Sequence, residues 1–268
     1  MKTKKLKIRS RNKSCAELKN IDTGNKRVLY RMGSTTPTEV VSKYPIDIEI
    51  NTAEACKVSG DKLLMKQAFD EWNTNNPNNP IPHAEWVQII GAHNKQSLED
   101  LKKILAEWGK IIIKHVHSSK GNGIYFIQSN EELEDWYNNH LDINRYIFER
   151  YYTYSKEYRL HVTNDGCFYT CRKMLKNDAE VRWHRHENNS VWILEENPLF
   201  CRPNNWNIIV AACINAKNAV GLDIAAIDVK VQSKNNPSFI ILETNSAPAL
   251  GEVGVNKYKE LLNLYIHA

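Results

Sequence analysis

A mixed α/β (α+β) fold of two or three lobes is the architecture this sequence predicts, on three observations. Strand-like and helix-like stretches alternate from residue 81 to 152, and the remaining third is strand-rich before it closes on a helix. The 268 residues, 42% hydrophobic and 25% charged, suffice to bury a real core. Two apolar strands near the C-terminus each carry an acid, where a charge is costly to bury.

The chain divides in the reading as a basic, flexible lead-in at 1–25, a short N-terminal region at 26–80, a small lobe at 81–152 and a large lobe at 153–268. Seven Lys or Arg and no acid lie in the first thirteen residues and account for much of the net charge of +5. Such a run can meet nucleic acid or an acidic surface, but a solvated, frayed terminus is the simpler reading. Arg27–Gly33 reads as a strand entering a Gly/Ser/Thr turn, and Arg31, at its end, is a candidate contact for a phosphate or carboxylate. Asn51 and Glu54 look like the cap and third position of a short helix stopped at Gly60, and a second helix opens at Lys62. The Asn/Pro-rich stretch 73–82 is the clearest boundary in the chain.

Beyond it come a strand at 83–90, a helix from Ser97 to Trp108, the strand Lys110–Lys114, a Ser/Gly loop and the strand 124–127. A helix at 130–140 and the strand 146–150 finish that unit. Residues 158–163 and 167–174, joined by Asn164-Asp165-Gly166, form a hairpin. The polar stretch 176–197 reads as a long loop or flap, 207–220 as a helix and 256–266 as a terminal helix.

No run of eighteen apolar residues occurs, so no spanning helix is expected, and the basic N-terminus lacks the apolar core of a secretory signal. Six scattered cysteines without a C-x-x-C pair read as reduced thiols of a cytoplasmic protein.

The chemistry concentrates in the two acid-bearing strands. Side chains alternate along a strand, so Glu243 and Asn245 point to one face. Asp228 sits inside the neighbouring apolar run Ala225–Val231. Two acids and an amide on adjacent strands want a shared cation, and hard oxygen donors of this kind suit Mg²⁺ completed by substrate phosphates. Neither a G-x-x-x-x-G-K-[ST] loop nor a G-x-G-x-x-G turn is present. Instead Ser118-Ser119-Lys120-Gly121-Asn122-Gly123 offers hydroxyls and close backbone approach to an anion, directly after Lys114. Glu149, Arg150 and Tyr151 end the last strand of that unit, and Glu157 follows within reach of a ribose.

In this order Ile112-Ile113-Lys114, Phe148-Glu149-Arg150-Tyr151, Asp228 and Leu242-Glu243-Thr244-Asn245 resemble the ATP-grasp superfamily of carboxylate–amine and carboxylate–thiol ligases. Within it, the chain looks most like the compact phage-type carboxylate–amine ligases. The resemblance implies two α+β lobes enclosing ATP, preceded by a truncated pre-grasp region. It implies phosphate contacts from Lys62 and Lys114, a flap over the phosphates at Ser118, Ser119, Lys120, Gly121 and Gly123, and a hinge at Glu149, Arg150 and Tyr151 that reads adenine. It further implies ribose binding by Glu157, one or two Mg²⁺ (or Mn²⁺) on Asp228, Glu243 and Asn245, and a γ-phosphate contact from Arg172 or Lys173. Many relatives carry an arginine two residues before the first metal-binding acid; here that position is Ala226, and either Arg159, Arg182 or Arg185 stands in for it or the substrate chemistry differs. The implied partners are ATP, a carboxylate and an amine (amino acid, peptide or protein tail), with no membrane, and with a homo-oligomer left open.

Two other readings compete. In one, Lys114 and the acids are structural ion pairs of an ordinary α/β core. In the other, an inactive grasp lobe with the basic terminus and Trp183–His186 binds nucleotides or nucleic acid; the complete metal set argues against it. The pairs His115/His117 and His184/His186 lack a third ligand for zinc.

Overall fold

The structure, a computed structural model, describes residues 4–10, 13–118, 122–186, 188–232 and 238–268. Within 4–25, where the sequence suggested a flexible lead-in, lie the strand β1 (Lys7–Ser10) and a 3₁₀ helix at Lys13–Asn20. Charge count hid a period-two pattern. Leu6 is buried and Ile8 half-buried, while Lys5, Lys7 and Arg9 point outward. Leu6, Leu18 and Ile21 thereby join one core with Val28 and Tyr30.

Strand β2 (Val28–Met32) pairs in parallel with β1 and, on its other side, with β3 (Ile48–Ile50); the four-residue helix α1 (Thr38–Val41) lies between β2 and β3 in sequence. Helices α2 (Ala53–Gly60) and α3 (Lys62–Asn75) follow. The cap of α2 is Thr52, whose hydroxyl accepts from the Ala55 N–H, and not Asn51. Asn51 has a positive φ of 61° and is fully buried, and its amide is a clasp. It accepts from the N–H groups of Asp223 and Ile224 and donates to the carbonyls of Arg31 and Ile224. Asparagine tolerates the left-handed region better than alanine, and a lost buried hydrogen bond leaves backbone groups unsatisfied. Asn51→Ala is therefore expected to lower stability by about 3 kcal/mol, read from the urea midpoint; a shift below a third of that would show the clasp to be replaceable.

The chain then builds a second unit. It contains β4 (Trp86–Val87), α4 (Lys95–Trp108), β5 (Ile111–His115), β6 (Ile124–Ile127), α5 (Asn130–Asn138) and β7 (Tyr146–Arg150). The strand expected at 83–90 is only two residues long. Its sheet runs β4-β7-β5-β6, antiparallel throughout. Ile111, Ile113, Ile127 and Phe148 face the helices and pack on Leu101, Leu105, Leu133 and Trp136.

Strands β8 (Lys156–Thr163), β9 (Gly166–Leu175) and β10 (Ser190–Leu194), helix α6 (Trp206–Ala219), strands β11 (Ala225–Val231) and β12 (Phe239–Asn245) and helix α7 (Glu252–His267) complete the fold. Their five-stranded sheet has the order β10-β9-β8-β11-β12. One of its faces carries Tyr158, Leu160, Val162, Ile227, Val229 and Ile241 into a core with Met65, Phe69, Ile209 and Cys213.

The contacts divide the chain into two compact units, Met1–Pro82 with Ser155–Met174 and Trp192–Ala268, and His83–Tyr154 with Leu175–Val191. The stretch read as a flap, 176–197, is partly ordered against the smaller unit. Trp183 stacks on Phe126 with centroids 5.3 Å apart, and Asn189 donates to the carbonyls of Val181 and His184. Among the described residues no helix is long and apolar enough to cross a membrane.

Candidate active site

In the larger unit, the sheet face opposite the apolar core is where the charges gather. Register sets Arg159 of β8 opposite Asp228 of β11, and Asp228 opposite Glu243 of β12; a bulge follows Asp228. Asn245 stands opposite Ala226, on the same face as Glu243. One row further along, Glu157 lies between Lys173 of β9 and Lys230 of β11. Asp228 and Glu157 therefore each have a cation as a cross-strand neighbour, the arrangement that lets charges be buried, whereas Glu243, on the edge strand, faces Asp228.

The pairs are close. Arg159 grips Asp228 bidentately, Nε to Oδ1 at 2.6 Å and Nη2 to Oδ2 at 2.7 Å. Lys173 Nζ is 3.6 Å from Glu157 Oε1, with both side chains largely buried. Burial opposes ionisation of Asp228, but the Arg159 guanidinium overrides it and holds the carboxyl below its ordinary range. Glu243 and Asn245 are half-buried, and the Asn245 amide donates to Glu243 Oε1 at 3.3 Å. Strand β12 is pinned beneath them, since the Ser59 hydroxyl of α2 donates to the Thr244 carbonyl at 2.9 Å. Among the described residues no three His, Cys, Asp or Glu side chains form a metal-holding group. The set here is two carboxylates and an amide, all oxygen donors, which fits a hard cation that keeps waters.

Lys173, not Arg172, belongs to this face. Arg172 is on the opposite side of β9, where it donates to the Leu199 carbonyl. Of the three arginines considered in place of Ala226, Arg159 is the one that touches an acid of the set. Arg182 is exposed, and Arg185 is buried with its guanidinium 4.3 Å from the centroid of Tyr154. Arg31, read as a ligand contact, is fully buried; its guanidinium pairs with Glu49 and donates to Thr38 and to the Thr36 carbonyl. It closes the turn after β2 and is not available to a substrate. Lys62 is the first residue of α3, half-buried, behind the cap Asp61.

The smaller unit holds the second cluster. Lys114 of β5 and Glu149 of β7 are diagonal neighbours on one sheet face, and their Nζ–Oε2 distance is 2.6 Å. Next to them the Arg150 N–H donates to the Glu85 carbonyl and the Tyr151 N–H to the Lys110 carbonyl. Of the hinge backbone expected to read adenine, these two N–H groups are thus already engaged. The Arg150 side chain pairs with Glu85. Ser118 donates to the His115 carbonyl, and Gly123 has a φ of 64° with space for no side chain, because a Cβ there would lie 3.1 Å from His115 Cβ. Ser119, Lys120 and Gly121 lie outside the described residues.

Sequence reasoning missed Trp192. Its ring, on β10, lies 4.8 Å from the Arg159 guanidinium carbon and 5.4 Å from Lys173 Nζ. Nothing in its local sequence distinguishes it from a strand tryptophan.

No family model matches the chain. Among solved structures, D-alanyl-alanine synthetase A from Vibrio cholerae O1 biovar eltor superposes with a TM-score of 0.67 at 13% identity, over 90% of this chain and 75% of that one. The chain has the ATP-grasp fold. The ATP-grasp ligase PsnB, in complex with minimal precursor, Mg and ADP, superposes with a TM-score of 0.55 at 16% identity, over 82% of this chain and 62% of that one. A curated relative of this chain, a probable alpha-L-glutamate ligase of Parasynechococcus marenigrum, is 23% identical over 225 residues. The match takes in 81% of this chain but 42% of that protein, so the chain spans less than half of its curated relative.

The same grasp sheet face sets a pH response of folding. His161 of β8 is buried, with Nδ1 2.8 Å from the Tyr258 hydroxyl. Burial, aided by the charge of Arg159, pushes its pKa down to about 3. The unfolded chain takes up this proton below its ordinary value of about 6.5, while the folded chain does not until about 3, so stability falls as pH drops through that window. By pH 4.5 the loss is about 2–3 kcal/mol. Urea unfolding at pH 7 and 4.5 should show that much less acid sensitivity in His161→Gln than in the parent.

Proposed function

We propose that the chain is an ATP-dependent carboxylate–amine ligase that forms an amide bond and releases ADP and phosphate. The observation that supports this reading best is the charged sheet face of the larger unit, with Asp228, Glu243 and Asn245 beside Arg159, Lys173 and Glu157, on an ATP-grasp fold. An ordinary structural ion pair would need neither the amide nor the second carboxylate.

A substrate carboxylate attacks the γ-phosphorus in line, and ADP leaves. The acylphosphate so formed then accepts an amine, and phosphate departs as the amide forms. Catalysis of this kind rests on positioning and electrostatics, which explains why no protein nucleophile is needed. Lys114, oriented by Glu149, supplies a point charge to phosphate oxygens, and Lys173 supplies another. Glu157 accepts from ribose hydroxyls. Asp228, Glu243 and Asn245 would hold one or two Mg²⁺, or Mn²⁺ in its place. A cation there supplies charge neutralisation at the β- and γ-phosphates.

The substrates are an amino acid, peptide or protein tail bearing the carboxylate and an amine acceptor. The names of the similar proteins, a glutamate ligase and a ligase bound to a precursor, favour that class. Among the described residues the cysteines are free thiols, which fits a reducing, cytoplasmic setting.

The test is purified protein with Mg-ATP and pooled amino acids and short peptides, followed by phosphate release and product mass. Phosphate release that depends on one carboxylate–amine pair, with a product lighter than its two parts by one water, is the expected result. Absence of ATP binding would overturn the proposal.

A further inference from the structure

The grip of Arg159 on Asp228 raises a chemical conflict. Both Asp228 oxygens are engaged by the guanidinium, yet the same oxygens are those a divalent cation would need. The register accounts for this arrangement. Asp228 and Glu243 are directly opposed in register, and two facing carboxylates repel unless a cation lies between or beside them. Arg159 supplies that cation from the other side of Asp228. Glu243 and Asn245, which are half-buried, leave the far side of the set open to an arriving ion.

Trp192 completes the device. It is 45% exposed, and its ring carries both the Arg159 guanidinium and the Lys173 ammonium. An indole face attracts a cation without binding it covalently or by directed hydrogen bonds, so a guanidinium can slide over it at little cost.

We infer that Arg159 is an exchangeable counter-ion: it neutralises Asp228 and Glu243 until a divalent cation arrives, and the cation then releases it along the face of Trp192. The inference rests on the metal role proposed for Asp228, Glu243 and Asn245. Once released, the guanidinium is a planar two-pronged donor matched to a carboxylate or phosphate. The charge that an arginine at position 226 would have provided is thus delivered from the adjacent strand, and only when the metal is in place. Trp192 is a positioning residue in this scheme.

Mn²⁺ is titrated without nucleotide, with the free aquo ion read by electron paramagnetic resonance, into the parent, Arg159→Gln and Glu243→Gln. If Arg159 competes with the metal, Arg159→Gln binds Mn²⁺ about tenfold tighter or more, because the metal no longer displaces a buried ion pair. Its melting temperature also rises further with Mn²⁺ than that of the parent. Arg159→Lys, which keeps the charge but loses the two-pronged grip, falls between the two and serves if Arg159→Gln does not fold. Equal or weaker Mn²⁺ binding in the arginine variants, with binding in the parent abolished by Glu243→Gln, overturns the exchange and leaves the metal site standing. Mn²⁺ binding insensitive to Glu243→Gln, or no binding, overturns the site itself. The indole readout is independent: Mg²⁺ should change the fluorescence difference between the parent and Trp192→Leu, and an unchanged difference overturns release along Trp192.

Discussion

Lys114→Ala is expected to lower Mg-ATP turnover by about 10²–10³-fold, the usual cost of removing one fixed charge from a phosphoryl-transfer site. The same change should destabilise the fold. The Glu149 side chain is 4% exposed and its carboxylate lies 2.6 Å from the ammonium that the variant removes. Taking one partner from a buried ion pair costs about 3–5 kcal/mol. The two effects separate in the double variant Lys114→Met/Glu149→Gln, which has no buried charge to strand. It should recover most of the urea midpoint and none of the turnover. If it recovers turnover as well, Lys114 acts through folding alone and does not meet phosphate.

Glu243→Gln should show the opposite balance. If Glu243 holds the metal as proposed, turnover falls by about 10³-fold and more Mg²⁺ is needed to reach half of what remains. Stability is expected to hold or rise slightly. Asp228 keeps its two contacts with Arg159, a glutamine oxygen can still accept from the Asn245 amide, and one of two facing carboxyl groups has been neutralised. Turnover against Mg²⁺ concentration and a urea curve check both halves. Unchanged turnover would remove Glu243 from the site.

Much of the site could be read along the chain because burying a charge is costly and strands alternate. Asp228, Glu243 and Asn245 stand out as polar residues in apolar strands, Lys114 and Glu149 as charges at strand ends and Glu157 by its spacing, whereas Lys173 is implied only by the family resemblance and only as an alternative to Arg172. The readings that failed are those in which local sequence carries the wrong signal. The basic count of the first thirteen residues concealed Leu6 and Ile8, which alternate inward along β1. Asn51 resembles a helix cap, but its amide ties β2 to the chain before β11, a contact that spans most of the sequence. Arg31 sits where ligand-facing arginines sit, yet its donors close its own turn.

The α/β class and a strand face of acids and amide able to take a hard cation are legible along the chain, since the period of two and the penalty for buried charge act within single strands. Which arginine answers Asp228, which side of β9 faces the acids, and the place of Trp192 over both cations emerge from packing between strands. Those are matters of register between strands distant in the chain. A shift of one residue would turn every side chain to the other face, and no local pattern records which alignment the packing selects.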